Sequence, residues 1–439
     1  MTNEKLNPGK MLLLGFQHVF AMFGATVLVP TLTGLNVSAT LLFAGLGTLL
    51  FHLLTKRKVP AFLGSSFAFL GGYAAVKQLV ENSGTGANWI PYAGIGVVCA
   101  GLLYVIVSVL FKAFGPAKVM RFFPPVVTGP IIICIGITLA NSAVNNCASN
   151  WWIAILAVAI VVVFNIWGKG MFKIIPILLG VVGSYVVAAL CGQVDFTKVQ
   201  EAAWIGLPFD WNDTAFSLAG KADGSLVASA IAMMMPIALA TMMEHIGDMC
   251  AISSTVGQNF IADPGLHRSL LGDGLATSMA ALFGAPANTT YGENTGVLAL
   301  TKVYDPRVVR LAACIAVVFS FCPKFAALVA CMPSATIGGV SLILYGMISA
   351  VGVRNIVENQ VDFTKSRNVI IAAMIMSLSL GIAFSNAGAI SFMVGGISIS
   401  LSGLAVASLV GILLNAILPG NDYVFGTNDL GDQSVNFKV

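Results

Sequence analysis

Charge is what this chain has least of: Asp, Glu, Lys and Arg make up 9% of its 439 residues, against 57% hydrophobic residues and a mean hydropathy of +0.91. A soluble domain carries roughly a quarter of its residues as charges, so this composition excludes an ordinary water-exposed surface and implies a bilayer. The formal net charge is only +4 and no basic run occurs, which excludes the electrostatic footprint of a nucleic-acid partner. Cysteine pairs are lacking too. Cys99, Cys134, Cys147, Cys191, Cys250, Cys314, Cys322 and Cys331 stand singly, without a CxxC pair or a histidine at metal spacing, and read as packing residues. The four histidines, His18, His52, His245 and His267, fit no HExxH-like pattern, which argues against a membrane enzyme. No cofactor is expected.

What is present is a succession of apolar stretches near the roughly 20 residues that cross a hydrocarbon core. Punctuation by Gly, Pro and charge places spans near 11–33, 37–54, 65–80, 91–112, 122–141, 150–167, 172–191, 224–247, 268–284, 289–302, 307–323, 334–350, 368–386 and 396–418. The first, although preceded by Lys5 and Lys10, contains Gln17 and His18 and lacks an A-x-A-like cleavage site, so it reads as a retained helix. The fold class is an all-α polytopic membrane protein of fourteen segments. With the N-terminus in the cytoplasm, 18 of the 22 basic residues fall on the inner side, and only Lys77, Lys198, Lys221 and Lys324 fall outside. Both termini are then cytoplasmic and the chain sits in the inner membrane. The longest polar connection, 193–223, is external on this topology. It separates a first repeat of seven segments (1–192) from a second (224–420), with a cytoplasmic tail over 421–439. Seven segments per half require the halves to insert with opposite orientation, an inverted repeat.

A pair of poor helix formers marks the third segment of each half: Val59-Pro-Ala-Phe-Leu-Gly-Ser-Ser-Phe-Ala-Phe69 and Gly284-Ala-Pro-Ala-Asn-Thr-Thr-Tyr-Gly-Glu-Asn294. Each predicts a short β-like extended stretch leading into a half-helix. Irregular backbone at membrane depth survives only when buried in protein or lining a cavity, and matched interruptions point to a transporter's binding site. A purely structural kink is the plainer alternative.

Intramembrane acids point to the same place. Glu244 and Asp248 share one helical face at i and i+4, and Glu293 follows the second interruption. Asp273 lies near Arg268, which suggests a structural partner, and His18 suits an orienting hydrogen bond. No Lys or Arg lies inside the spans to neutralise Glu244 and Glu293. A carboxylate left so can be relieved by taking up a proton, and a group that is protonated at one face and deprotonated at the other couples transport to a proton gradient.

At these residues the chain resembles a known family. Glu293-Asn-Thr-Gly-Val-Leu-Ala-Leu-Thr-Lys302 is similar to the signature of the nucleobase-ascorbate transporters (nucleobase:cation symporter 2), in which a variable residue precedes Asn-x-Gly, four residues and Thr-Arg/Lys. Ala240-Thr-Met-Met-Glu-His-Ile-Gly-Asp248, Asp263-Pro-Gly-Leu-His-Arg-Ser269, Gly64-Ser-Ser-Phe-Ala-Phe69 and the run from Gln17 to Pro30 resemble its bacterial uracil permease branch. The likeness spans residues 10 to 420.

The resemblance implies a core domain (segments 1–4 and 8–11), a gate domain (segments 5–7 and 12–14) and a homodimer in contact with membrane lipid. It also implies a site in which Glu244 and Glu293 hold the base, Phe67 packs on its ring, and the Phe67 and Gly292 backbones hydrogen-bond to it. Ser66, Tyr291, Ala25 and Tyr345 complete the pocket. His18, Glu244 and Asp248 are the implied proton-coupling groups. Asp248 stands where the branch pattern has a histidine, so proton coupling is assigned to Asp248, and sodium coupling stays open.

The chemistry of uracil agrees. Its ring offers two N–H donors and two carbonyl acceptors, which match two carboxylates, backbone N–H groups and an aromatic face. The resemblance associates Glu at the first signature position with uracil carriers, and Gln or Pro with purine or ascorbate carriers. A purine carrier and a sodium-coupled carrier are the alternatives. An anion exchanger of the same architecture is the rival from another class, but two unpaired glutamates would repel an anion. A channel would need a continuous polar lining, whereas the polar residues here concentrate at one locus.

Overall fold

The computed structural model describes residues 7–395, 397–420 and 423. Lys5, Lys438 and the tail expected over 421–439, apart from Tyr423, lie outside the described residues.

The chain opens with α1 (Pro8–Thr33), capped by Asn7, started by Pro8 and stopped by Gly34 at φ 83°. Each of these choices suits its end of the helix: a side-chain acceptor and a fixed φ at the start, a left-handed residue at the stop. There follow α2 (Val37–Leu54), strand β1 (Leu63–Ser65), α3 (Leu70–Asn82), α4 (Trp89–Phe114), α5 (Pro125–Cys147), α6 (Trp151–Trp167) and α7 (Pro176–Leu190). The second half holds α8 (Gly224–Met234), α9 (Ile237–Val256), α10 (Leu266–Leu282), β2 (Asn288–Thr290), α11 (Gly292–Thr301), α12 (Pro306–Ser320) and α13 (Pro323–Ala330). It ends with α14 (Ser334–Glu358), α15 (Ser366–Ala383), β3 (Ala389–Val394), β4 (Ile397–Ser402) and α16 (Gly403–Ile417).

Seven helical runs among the described residues are long and apolar enough to cross a bilayer, taking α8 and α9 as one run, and an eighth counts if α12 and α13, bent by 88°, are one span. The other expected spans fall on shorter helices and on the two strand-led segments, so length and apolarity do not by themselves return fourteen. Several boundaries differ from the sequence expectation: the helix expected over 334–350 runs on to Glu358 and that over 122–141 to Cys147, and three further differences have a visible local cause. The span expected over 224–247 runs on to Val256 through a break at Met235–Pro236, where proline lacks a backbone donor. The span expected over 307–323 stops at Ser320 and bends before Pro323. The stretch expected as helix over 396–418 opens as β4, paired antiparallel with β3 in a hairpin, and only then becomes α16.

Helix backbones meet closely at glycine. A Cβ on Gly274 of α10 would lie 2.7 Å from the Gly101 carbonyl of α4, and one on Gly352 of α14 would lie 2.7 Å from the Gly129 carbonyl of α5. These are the tightest long packing seams, α4 on α10 and α5 on α14, and they use small residues as membrane interiors do.

The polar ends sort onto two faces. On one, Lys58 pairs with Asp263, and its hydrogen bond holds that carboxyl below the usual carboxylate range. Beside it, Arg268 donates to the Leu54 carbonyl at 3.2 Å. On the other, the 192–223 connection lies against the start of α4, where Asn88 donates to Asp213 at 2.8 Å, and against the start of α13, where the Lys324 amide donates to the Ala203 carbonyl at 3.0 Å.

Candidate functional site

The two interrupted segments meet in the centre of the molecule. β1 and β2 pair antiparallel with Leu63 opposite Thr290, Gly64 opposite Thr289 and Ser65 opposite Asn288, and all six residues are buried. The pairing continues at both ends, where the Ser66 amide donates to the Ala287 carbonyl at 2.8 Å and the Tyr291 amide to the Phe62 carbonyl at 3.0 Å. Neither strand could be satisfied alone at this depth, because a buried backbone without partners is costly. Each strand then turns into a helix: a one-turn 3-10 piece (Phe67–Phe69) leads into α3, and β2 leads into α11. Two helix N-termini, with unpaired N–H groups and a partial positive charge, therefore lead off this crossing, one from each end.

Side chains fix this crossing to its surroundings. The Tyr291 hydroxyl donates to the Ser65 carbonyl at 3.0 Å, and Ser65 donates to the Thr26 carbonyl of α1 at 2.9 Å. A Cβ on Gly64 would run into the Tyr291 ring, so only glycine fits there. The Ala287 amide donates to the Tyr73 hydroxyl at 2.9 Å, and Asn288 exchanges hydrogen bonds with Thr277 of α10 at 3.0 and 3.2 Å.

Beside β2, α9 brings up Glu244 and Asp248 from one face. Thr290 donates to Oδ2 of Asp248 at 2.7 Å, and a Cβ on Gly292 would sit 3.9 Å from Oδ1 of the same carboxylate. Glu244 and Glu293 are partly exposed, and Gly292 between them is open. No ion pair among the described residues includes Glu244, Asp248 or Glu293. Glu293 lies in the first turn of α11, and the helix that carries Glu244 and Asp248 packs against α11.

The apolar wall is equally local. Phe67 packs edge-on against Tyr345 of α14, with ring centroids 5.5 Å apart, and both belong to one buried cluster with Ala25 and Tyr291. Ser66 is fully buried beside them, and its Oγ has no hydrogen-bond partner among the described residues.

Two sequence candidates sit one layer back. His18 of α1 does not face the carboxylates. Its Nδ1 lies 3.0 Å from Asn294 Nδ2 and its carbonyl accepts from the same amide at 3.2 Å, so it orients the start of α11. Asp273 is paired at 3.0 Å with His245 Nδ1, both fully buried, while His245 Nε2 lies 3.0 Å from Ser269 Oγ. This pair ties α9 to α10. Arg268, near it in sequence, instead bonds to Leu54. Thr290 and Asn294 were not singled out by sequence reasoning. Asn294 lies inside the Glu293-Asn-Thr-Gly run and could have been found there, whereas nothing local distinguishes Thr290 from Thr289.

The comparisons fit this geometry. A family model described as "Permease family" (Xan_ur_permease) matches residues 9–388. The chain is 42% identical over 421 residues to the uracil permease of Bacillus caldolyticus, covering 94% of this chain and 93% of that one. It is 40% identical to the uracil permease of Bacillus subtilis (95% and 97% covered) and 36% identical to that of Escherichia coli (92% and 90%). Among solved structures, the transmembrane domain of the cyanobacterial bicarbonate transporter BicA matches with a TM-score of 0.58 at 16% identity, covering 92% of this chain and 96% of that one. SLC26A9 matches with a TM-score of 0.66 at 12% identity, covering 93% and 64%. At such identities the likeness is one of fold. A family match over most of the chain, relatives at about 40% identity and a strand crossing flanked by helix N-termini and carboxylates lead to one conclusion: this chain belongs to the nucleobase-ascorbate transporter family, as a multi-pass membrane permease and not an enzyme.

Proposed function

We propose that the protein imports uracil across the inner membrane by proton symport, through alternating access. The observation that carries this reading is the placement of Glu244 and Glu293, without a counter-cation, beside two helix N-termini and the Phe67 ring. A uracil ring there gives its two N–H groups to the carboxylates and its carbonyls to backbone N–H groups, and lays its face on Phe67. Ser66 Oγ is available for a further contact, and Ala25, Tyr291 and Tyr345 bound the space. Relatives that carry the name uracil permease cover nearly the whole chain and support this substrate over a purine.

Asp248, held by Thr290 next to Gly292, is the coupling group on this reading, with Glu244 on the same helical face. The two halves act as inverted repeats, the helices that carry the site moving against α5–α7 and α14–α16, in a homodimer embedded in lipid with both termini in the cytoplasm. The anion-transporting fold relatives do not favour an anion here, because the carboxylates would oppose its charge.

Uptake of labelled uracil by cells lacking their own permease, with and without a protonophore and with excess xanthine, tests the reading. The expected result is saturable uptake that collapses with the protonophore and ignores xanthine. Xanthine uptake would overturn the choice of substrate, dependence on sodium would overturn the coupling ion, and uptake of bicarbonate or sulfate alone would overturn the class.

A further inference from the structure

A cavity of about 220 Å³ has none of the carboxylates in its wall. Ala68 and Gly71 wall it at the start of α3, Thr138 on α5, Met233 on α8, and Ala389 and Ser400 on the β3–β4 hairpin. None of its lining residues is charged. It runs from Ala68, one residue from Phe67, along the first turns of α3 to the hairpin, and the far end of α3 leads to the face carrying the 192–223 connection. Leu139, also in its wall, packs on the apolar cluster that holds Phe67 and Tyr345. Phe67, whose ring meets Tyr345 edge-on, is the chain neighbour of Ala68 in this wall.

The hairpin is placed in an unexpected way. It joins α15 to α16 but rests mainly on α8, with β4 against that helix. Its polar tether there is the Ser398 amide, which donates to the Ser229 hydroxyl at 3.1 Å, and Ser229 is buried. A hairpin that rests on α8 and supplies part of the cavity wall is positioned to close it.

We propose that this cavity is the outer passage to the carboxylate site, and that the β3–β4 hairpin is its lid. Its size and uncharged wall admit one small, neutral, flat heterocycle, since a charged solute would have to shed water with nothing to replace it. Gly71 is the position that keeps the passage open: a Cβ there would meet nothing within 4 Å, and a larger side chain would point into free space. This inference rests on the reading of the chain as a nucleobase carrier.

The test uses Gly71→Cys in a background with the eight native cysteines replaced that retains uptake, with Ala75→Cys as a second position should the first not fold. Intact cells are treated with a membrane-impermeant thiol reagent. Uracil uptake should fall about ten-fold or more, while equilibrium binding of labelled uracil to the purified, modified protein should stay within about two-fold. Joining the lid to α8 with Ser229→Cys and Ser398→Cys should likewise stop uptake and release it on reduction. Full modification without loss of uptake, or labelling only from the cytoplasmic face, would overturn the passage. A loss of binding equal to the loss of uptake would overturn it as well, by placing Gly71 in the binding site. Absence of uracil binding before any modification would instead sink the carrier reading.

Discussion

The Thr290 hydroxyl donates a 2.7 Å hydrogen bond to Asp248, joining the second crossing strand to the helix that carries Glu244. A bond to a carboxylate is worth about 1.5–3 kcal/mol, so its loss is large enough to be read in transport. Thr290→Val is expected to slow uptake by roughly ten-fold, with Thr290→Ser restoring most of it. Asp248→Asn should bind uracil yet lose its dependence on the proton gradient. Uptake measured with and without protonophore checks both, and an unchanged dependence in Asp248→Asn would remove this residue from the coupling mechanism.

Glu244 and Glu293 should each matter through their acceptor oxygens. Glu244→Gln and Glu293→Gln keep the shape but exchange one acceptor for a donor, which sets donor against donor at the ring N–H. Each should weaken uracil binding by about ten- to a hundred-fold. Binding of labelled uracil to purified protein decides it. Because both side chains would hold the same ring, the double variant should lose less than the sum of the two single losses.

The crossing itself is a matter of stability. Gly64→Ala sets a methyl against the Tyr291 ring and is expected to cost about 1–3 kcal/mol, as overpacking does. Tyr291→Phe removes the hydroxyl that reaches the Ser65 carbonyl and should cost about 1 kcal/mol. Thermal unfolding in detergent should rank Gly64→Ala below Tyr291→Phe, and both below the unaltered protein.

His245 and Asp273 form a fully buried pair, so removing either leaves the other without its partner. Asp273→Ala and His245→Ala are each expected to destabilise by about 3–5 kcal/mol. The double change should cost clearly less than the two together. Strict additivity in unfolding experiments would show that the contact is not coupled.

Much of this protein was legible in its residues taken in order. Scarce charge and long apolar runs place it in a bilayer, because hydrophobicity is a property of composition. The Pro- and Gly-marked runs beginning at Val59 and Gly284 announce interrupted helices, because breakers act locally. Glu244, Asp248 and Glu293 stand out because a carboxylate at membrane depth needs a reason. The hairpin was misread: Gly395-Gly396 between two β-rich runs is a turn signal, but the same apolar residues also suit a membrane helix, and periodicity does not separate the two.

Only the tertiary structure decided the rest. No local rule pairs Leu63 with Thr290, across more than half the chain, since strand register is set by what both faces must bury. Nor does any local rule hang Tyr291 on Ser65 and Thr26, give Asp248 to Thr290 or Asp273 to His245, or lay the β3–β4 hairpin on α8. Composition and the order of residues settle the solvent in which this chain folds and the few polar groups it has to place there. Which of them meet was decided by packing, because in a medium without water each must find its partner inside the protein.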